Sequence, residues 1–307
     1  MKLTPLNWVL VVVLVLLLGL DRALRGQGPV EREVGRLLPE LFLDQAQRVV
    51  LESDDERLEM RRVGTGSWVL PDHYDHPADA SRMRFLLESL ISITTLDLLT
   101  PDAERHAEYG VDEGALSVRV WNGEGRLLAG LLQGDVVPGG GASYVRRSGD
   151  DATYRAPGLR ATIPLDPAMW LDVKWMTFEP TMVDGLKLSG AELDAPVLLA
   201  RDEGTLDTWR YEGGDGLAPS KVKSMLRTLR ALFLAEVVGD GDQGEELGDV
   251  RLQVELRLAD GRVLAGRFGS VKPDGSVLAS RMDTAWVVRF TRATWENLSS
   301  QARSLVE

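Results

Sequence analysis

The side chains best suited to chemistry lie close together in residues 72–76, Asp-His-Tyr-Asp-His, with Asp79 a few positions further on. This stretch holds two of the chain's three histidines, and two imidazoles with three carboxylates could ligate a transition metal. Histidines at positions i and i+3 converge well only on a helix, and Pro77 delays the start of a helix here. Aspartates in loops usually cap helices and form turns. We therefore expect a solvated loop, with a metal site as the alternative.

Three consecutive glycines, Gly139, Gly140 and Gly141, invite comparison with a phosphate-binding loop. Such a loop needs a following Lys and Ser or Thr, and then a helix. Ala142 and Ser143 instead open a segment with the alternating pattern of a strand. The glycines are therefore predicted to form a hairpin.

The sequence lacks the other common signatures of catalysis. It contains no cysteine, which excludes disulfides, thiolate metal sites and cysteine nucleophiles. It has no Gly-x-Ser-x-Gly elbow, no His-Glu-x-x-His motif and no dinucleotide-binding fingerprint. Carboxylate pairs such as Glu245 and Glu246 lie in polar turns. We predict no catalytic, cofactor-binding or metal-binding residues, and no cofactor.

The composition is that of an ordinary globular protein with two domains. The chain has 307 residues, which is enough for two cores of the usual size. Its 47 acidic residues outnumber its 35 basic ones, giving a net charge of −12. A protein that binds a duplex needs a basic surface to replace counterions. We therefore expect no nucleic-acid partner.

The N-terminal segment predicts a membrane anchor. Residues 9–20 are all Val or Leu apart from Gly19, and the apolar segment extended over residues 3–24 reaches the roughly 20 residues that a membrane span requires. The sequence after Leu20 does not suit a signal peptidase, and so uniform a run has no polar face for a soluble helix. We assign residues 1–26 to a transmembrane signal anchor, and residues 27–46 to a juxtamembrane linker or helix.

Two arguments bear on the orientation of this anchor in the membrane. Lys2 precedes the span, whereas Arg22, Arg25, Arg32 and Arg36 follow it, so the charge count favours a cytoplasmic C-terminus. Long domains translocate largely regardless of charge, which weakens that count.

The rest of the chain contains two copies of one module. Residues 125–130 read Gly-Arg-Leu-Leu-Ala-Gly and residues 261–266 read Gly-Arg-Val-Leu-Ala-Gly, and Trp68 matches Trp209 in the same order. The predicted fold is α+β, with two tandem repeats of a mostly antiparallel sheet and one packed helix each. The predicted divisions are residues 47–163 for repeat 1, 164–185 for an aromatic connector, and 186–307 for repeat 2 with a C-terminal helix.

Each predicted helix carries an apolar stripe with helical spacing. In the first copy Asp79 is the expected cap, and in the second it is Ser220. The apolar stripes consist of Met83, Leu86, Leu87 and Leu90 in the first copy, and of Val222, Met225, Leu226, Leu229, Leu232 and Phe233 in the second. Predicted strands occupy residues 48–51, 58–63, 68–70, 116–121, 126–133, 143–147 and 153–156, and then 250–258, 262–268, 276–280 and 285–290.

The connector carries three large aromatic residues, Trp170, Trp175 and Phe178. We expect them to form a hydrophobic clasp between the modules. An exposed aromatic patch for a partner is the alternative.

Several short motifs, in this order, resemble a family catalogued as domain of unknown function 4340. The motifs are Trp-Val-Leu-Pro at 68–71, Pro-Ala-Asp at 77–79, Tyr-Gly-Val-Asp at 109–112, Leu-Leu-Gln-Gly at 131–134 and Ser-Tyr-Val-Arg at 143–146. The resemblance covers nearly all of the chain after the anchor. The second copy departs from it, since Leu247 stands where tyrosine is expected and Ser276-Val277-Leu278 replaces the Tyr-Val-Arg element.

The resemblance implies an N-terminal anchor in the bacterial cytoplasmic membrane with the bulk of the chain outside the cytoplasm, so it favours the outward orientation against the charge count. It also implies company with auxiliary components of ABC transporters of the gliding-motility type, and it brings no catalytic residues.

Three functions compete at this point. The first is a non-enzymatic accessory subunit of an ABC-type transport complex. The second is an extracytoplasmic module that binds a ligand or polymer in a cleft between the copies. The third is a hydrolase whose carboxylates have no recognisable motif.

Overall fold

The computed structural model describes residues 35–54, 56–159, 163–202, 208–211, 216–217, 219–240 and 247–306. The predicted anchor at residues 1–26 lies outside these ranges. Within them, no helix is both long enough and apolar enough to cross a bilayer.

The first module is built on one antiparallel sheet. Its spatial order is β4-β3-β2-β1-β6-β7-β8-β9-β5. The strands are β1 (Arg48–Ser53), β2 (Glu56–Val63), β3 (Ser67–Leu70), β4 (His76–Pro77), β5 (Leu98–Thr100), β6 (Leu116–Trp121), β7 (Leu127–Val136), β8 (Ser143–Arg147) and β9 (Thr153–Ala156).

The second module is built on a sheet with the same plan. Its order, β13-β12-β11-β10-β15-β16-β17-β18-β14, repeats the first sheet with every strand number raised by nine. The strands are β10 (Val183–Ser189), β11 (Val197–Arg201), β12 (Trp209–Tyr211), β13 (Gly216–Leu217), β14 (Glu236–Asp240), β15 (Leu252–Leu258), β16 (Val263–Val271), β17 (Val277–Arg281) and β18 (Trp286–Phe290). The predicted α+β architecture of antiparallel sheets and helices is confirmed. Strand β10 begins at Val183, inside the predicted connector.

One helix follows the first four strands of each sheet, namely α1 (Ala80–Ser92) and α2 (Pro219–Arg230), and α3 (Arg292–Ser304) follows the last strand of the second sheet. Short 3-10 helices occupy Pro71–His73, Ala103–Tyr109, Pro167–Met169 and Pro180–Met182.

The caps and apolar stripes of the two repeated helices were only partly predicted. Asp79 caps α1 as expected, because its Oδ1 accepts hydrogen bonds from the backbone N–H groups of Ser81 (2.8 Å) and Arg82 (3.1 Å). Ser220 is not a cap, since α2 already begins at Pro219, a residue that suits the first helical turn. Phe233 lies beyond the end of α2 and is 51% exposed, so it is not part of the buried stripe.

Both tryptophans of the repeat are buried in equivalent places. Trp68 lies on β3 and Trp209 on β12, and the two strands have the same position in their sheets. The Gly-Arg-x-Leu-Ala-Gly match, in contrast, holds its register only at the turn. A bulge at Leu128 shifts the first copy by one residue, so that Gly130 corresponds to Ala265 instead of Gly266. The hydrogen bonds show this, because the carbonyl of Gly130 accepts from Ser148 N–H and the carbonyl of Ala265 accepts from Met282 N–H.

The connector binds both modules, and its three aromatic side chains are buried. On the first module, the carbonyl of Trp170 accepts a hydrogen bond from Asp79 N–H (2.7 Å). On the second, Trp175 N–H donates to the carbonyl of Leu232 (3.0 Å), and its ring packs against the ring of Phe268 at 4.8 Å between centroids. The buried apolar side chains of both modules form one continuous core. The prediction of a clasp is confirmed, and the exposed aromatic patch is not observed.

Residues 35–46 form turns with no helix, and Leu37, Leu38 and Leu41 are buried. Leu37 N–H donates to the carbonyl of Ile93 at the end of α1 (2.8 Å). This part of the predicted linker is therefore packed against the first module.

Candidate functional site

The histidine loop is a tight turn between β3 and β4. Residues Pro71–His73 form a 3-10 turn, and Tyr74 and Asp75 adopt left-handed backbone conformations with φ of 59° and 52°. His76 then pairs with Leu70 in the sheet. The turn separates the two histidines, because His73 stays half-buried while His76 is buried.

This loop contacts the second module. Trp286 Nε1 donates a hydrogen bond to the carbonyl oxygen of Tyr74 (2.8 Å). The ring of His76 lies 4.8 Å from the ring of Trp286, and the hydroxyl of Tyr74 donates to the carbonyl of Val238 (3.4 Å). The stretch is therefore part of the contact between modules, and the expectation of a solvated loop is wrong for His76.

Burial lowers the pKa of His76, because an imidazolium would lose its water. The carbonyl of Pro77 and the charge of Asp172 oppose this shift in part, whereas the nearby His73 adds to it. His76 Nδ1 lies 3.0 Å from the carbonyl oxygen of Pro77, which can only accept a hydrogen bond. His76 is therefore a neutral ring that donates through Nδ1.

Two of the three carboxylates, Asp75 and Asp79, have other partners. Asp75 accepts from Arg61 at 2.9 Å, and Asp79 caps α1. Over the described part of the chain, no group of three His, Asp or Glu side chains is arranged to hold a metal ion.

The three glycines lie in the hairpin between β7 and β8. Gly139, Gly140 and Gly141 have φ of 91°, 76° and 86°, and the backbone N–H of Val137 donates to the carbonyl of Ala142 to close the hairpin. A strand follows, as predicted, so the segment lacks the helix of a phosphate-binding loop.

Three of the family motifs meet at one corner of the first module. Gly134 brings β7 against the backbone of Tyr109 and Gly110, where any Cβ would collide with the Tyr109 carbonyl. The rings of Tyr109 and Tyr144 then meet edge to face at 4.9 Å, and Arg146 Nε donates to the carbonyl of Val111 (2.9 Å). These motifs hold a structural corner together.

The second module builds the same corner with aliphatic side chains. Gly248 has a left-handed φ of 65°, close to the 63° of Gly110, and Gly269 brings its strand against the Leu247 carbonyl. Leu247 packs with Leu278 in a small apolar cluster, at the positions of the tyrosine pair. The two departures from the family pattern, at Leu247 and Leu278, are thus one replacement of a contacting pair. The sequence alone does not show that these two positions are in contact.

Sequence reasoning also missed a repeated arginine. Arg62 pairs with Trp68 across β2 and β3, and donates to the carbonyls of Asp44 (3.0 Å) and Ala46 (3.4 Å). Arg201 pairs with Trp209 in the same way, and donates to the carbonyls of Thr181 (2.9 Å) and Pro180 (2.6 Å). Each arginine ties down the segment that leads into its module. The signal was an arginine six to eight residues before each tryptophan.

A small polar cavity of about 280 Å³ lies between the modules, next to His76 and Trp286. Arg281 Nε donates to Asp283 (2.8 Å), and the same guanidinium donates to the carbonyl of Trp175. The hydrogen bond from Arg281 lowers the pKa of Asp283. Two of the lining charges, Arg281 and Asp283, are therefore paired with each other. The cavity volume lies below the usual range for ligand pockets, about 300–1,000 Å³.

An apolar groove of about 1000 Å³ runs along α1, the first module's helix. One wall is α1, with Phe85 68% exposed, and the other is formed by residues 157–159, 163–164 and 169–170, with Met169 42% exposed. Among the described lining residues Glu88 is the only carboxylate, whereas a glycosidase needs a pair. The described lining of the groove is suited to apolar contact. Its sequence signal was Phe85, which falls outside the buried stripe of α1.

The comparison with protein families identifies a family for this chain. The model of the family described as a domain of unknown function, DUF4340, matches residues 68–253, more than half of the chain. No curated protein and no solved structure matches the chain.

Proposed function

Because this chain belongs to the DUF4340 family, we propose that it is a non-enzymatic accessory protein, tethered to the bacterial cytoplasmic membrane, that acts by binding a partner protein. The partner is an integral membrane transport complex of the ABC type, as the family resemblance implies. The modules lie on the extracytoplasmic side, and residues 1–26 supply the single membrane span.

The apolar groove beside α1 is the observation that carries this proposal. A ring as large as that of Phe85, 68% exposed on a helix in an otherwise well-packed module, loses contact with water only when a partner covers it. The groove offers one carboxylate and a large apolar surface, which is the composition of a protein-binding site rather than of a catalytic centre.

The tether strengthens such an association. An anchor confines the modules to the membrane surface, where the effective concentration towards a neighbouring complex is high, so modest contacts are sufficient. An enzyme acting on a diffusing substrate gains little from the same confinement.

Purification from the native cell tests the proposal. The tagged full-length protein is extracted in mild detergent as wild type, as Phe85→Glu, and as Met282→Glu. Met282 is a matched control, because it is 67% exposed and belongs to the second module. We expect transporter subunits to be enriched with the wild type and with Met282→Glu, and to be lost with Phe85→Glu.

Recovery of the wild-type protein alone would overturn the proposal. That result would favour the alternative, in which the protein is an extracytoplasmic module that binds a ligand or polymer.

A further inference from the structure

The groove beside α1 has a counterpart in the second module that is already filled. Helix α3 packs against α2 there. The side chains of α3 that are buried include Trp295, Leu298, Ser299 and Ala302, and the ring of Trp295 lies 5.8 Å from that of Phe268. An amphipathic helix therefore covers one flank of α2.

Burial shows which flank of α2 is covered. Lys221, Ser224 and Thr228 are half-buried along one side, whereas Arg227 and Arg230 on the other side are exposed. The exposed side faces the separate pocket beside Pro180. Helix α3 consequently lies along the side that carries Ser224.

The same flank of α1 lines the groove. The buried stripe of α1 falls residue for residue on that of α2, which places Arg82, Phe85 and Ser89 at the positions of Lys221, Ser224 and Thr228. Arg82, Phe85 and Ser89 all line the groove. The open surface of the first module is thus the covered surface of the second.

The chain after the last strand explains the difference. After β18 the chain forms α3 at once. After β9 it continues without a helix through Gly158 and Ile163, up to the 3-10 turn Pro167–Met169, in the described part of that segment. A single irregular chain is thinner than a helix with its side chains, about 10 Å across. In the part of the first module that the structure describes, no helix therefore occupies the position that α3 fills in the second.

We propose that the groove binds an amphipathic helix of the partner protein, docked along α1 as α3 docks along α2. This deepens the proposed function and rests on it for the partner's identity. The partner helix carries large apolar residues at the spacing of Trp295, Leu298 and Ala302. Phe85, which stands where the second module has the small Ser224, supplies the central apolar contact.

The length of the groove fits such a helix. Its lining on α1 runs from Ser81 to Ser92, which at about 1.5 Å per residue spans roughly three turns. Arg82 and Glu88 give it one charge of each sign for the polar edges of the docked helix.

A peptide probe tests this directly. A fluorescent peptide with the sequence of residues 291–306, the helix that fills the equivalent position, is titrated with the full-length protein in lipid nanodiscs. We expect saturable binding that weakens about tenfold or more with Phe85→Glu and with Phe85→Ser, and stays unchanged with Met282→Glu. Phe85→Ser copies the residue of the second module, so it keeps the test valid where the charged variant fails to fold.

A second peptide establishes that the bound form is helical. A Ser299→Pro peptide cannot continue the helix through its centre, and it should not bind.

Three outcomes would each overturn the inference: no binding by the wild-type peptide, equal binding to the Phe85 variants, or retained binding of the proline peptide. Binding that appears only when residues 1–26 are deleted would also overturn it, because the chain's own N-terminal segment would then be the occupant. If the wild-type protein is purified without transporter subunits but the peptide still binds here, the proposed partner is wrong and the inference that the groove binds a helix stands.

Discussion

At the scale of single residues, His76 couples the contact between modules to pH. Its ring is buried against Trp286, and burial holds its pKa below the ordinary value of about 6.5. At pH values between the pKa of His76 in the folded state and its ordinary pKa, the unfolded chain binds a proton that the folded chain does not. Stability should therefore fall as the pH drops from about 6.5 towards the pKa of the folded state, and should change no further through this group below it.

Urea unfolding at a series of pH values from 8 to 5 measures this effect. We expect His76→Phe, which keeps a ring beside Trp286, to lose much of the decline between pH 7 and pH 5. His106→Gln is the control, since the ring of His106 lies on the surface of the first module, with its Nε2 2.8 Å from the carbonyl oxygen of Asp151. An identical pH profile for wild type and His76→Phe would contradict the prediction.

Gly134 is required by close approach rather than by flexibility. A Cβ at this position would overlap the carbonyl oxygen of Tyr109 and crowd Gly110, and both contacts are backbone atoms that cannot swing away. We expect Gly134→Ala to destabilise the protein by about 1–3 kcal/mol. Thermal unfolding followed by circular dichroism gives the measurement.

Gly123→Ala serves as the comparison for Gly134. A Cβ there would meet only the side chain of Gln47, at an ordinary 3.6 Å. If both variants unfolded at the wild-type temperature, the corner formed by Tyr109 and Gly134 would not be the constraint described above.

At the scale of elements, one carboxylate fastens α3 to its module. The side chain of Glu192, only 6% exposed, accepts hydrogen bonds from Arg251 (2.6 Å), Ser299 (2.9 Å) and Arg303 (3.0 Å). Burial by itself raises the pKa of Glu192, but the hydrogen bonds from Arg251 and Ser299, with the two arginine charges, outweigh it and lower the pKa.

Replacing this carboxylate should loosen the helix. We expect Glu192→Gln to cost about 1–3 kcal/mol near pH 7, because it removes a charge that two arginines and a hydroxyl share. A lowered pKa means that the contribution is complete above the ordinary carboxyl pKa and is lost as pH falls through the pKa of the folded state. Wild type and variant should therefore converge in acid.

The measurement is denaturant unfolding at pH 7 and pH 3, with Glu296→Gln as the control on the exposed face of α3. If the free energies of unfolding of wild type and Glu192→Gln differed by the same amount at both pH values, the lost stability would not come from an ionised carboxylate.

At the scale of the whole molecule, the anchor and the modules should be separable. Residues 9–20 favour the bilayer by roughly 3–6 kcal/mol, and the described modules share one core of their own. We expect deletion of residues 1–26 to move the protein from the membrane fraction to the soluble one, with an unchanged circular dichroism spectrum. A truncated protein that still pelleted with membranes after a high-salt wash would contradict a single anchor.

The sequence by itself determined the local elements and their repetition. Alternation of apolar residues defined strands such as β6 and β8 to the residue, and Asp79 marked the start of α1, because side-chain period and capping are local properties of the chain. The repeated tryptophans were found for a related reason, since both copies obey the same packing requirement.

Tertiary structure alone decided what those elements do to one another. The shift at Leu128 depends on pairing between strands, and the paired exchange of Tyr109 and Tyr144 for Leu247 and Leu278 depends on a contact between residues distant in sequence. Short strands such as β5 and β13 exist only because a neighbouring strand supplies their hydrogen bonds. His76 lies in the contact between modules, and one flank of α1 lines a groove. Both results depend on which distant parts of the chain pack nearby, and no local sequence pattern contains that information.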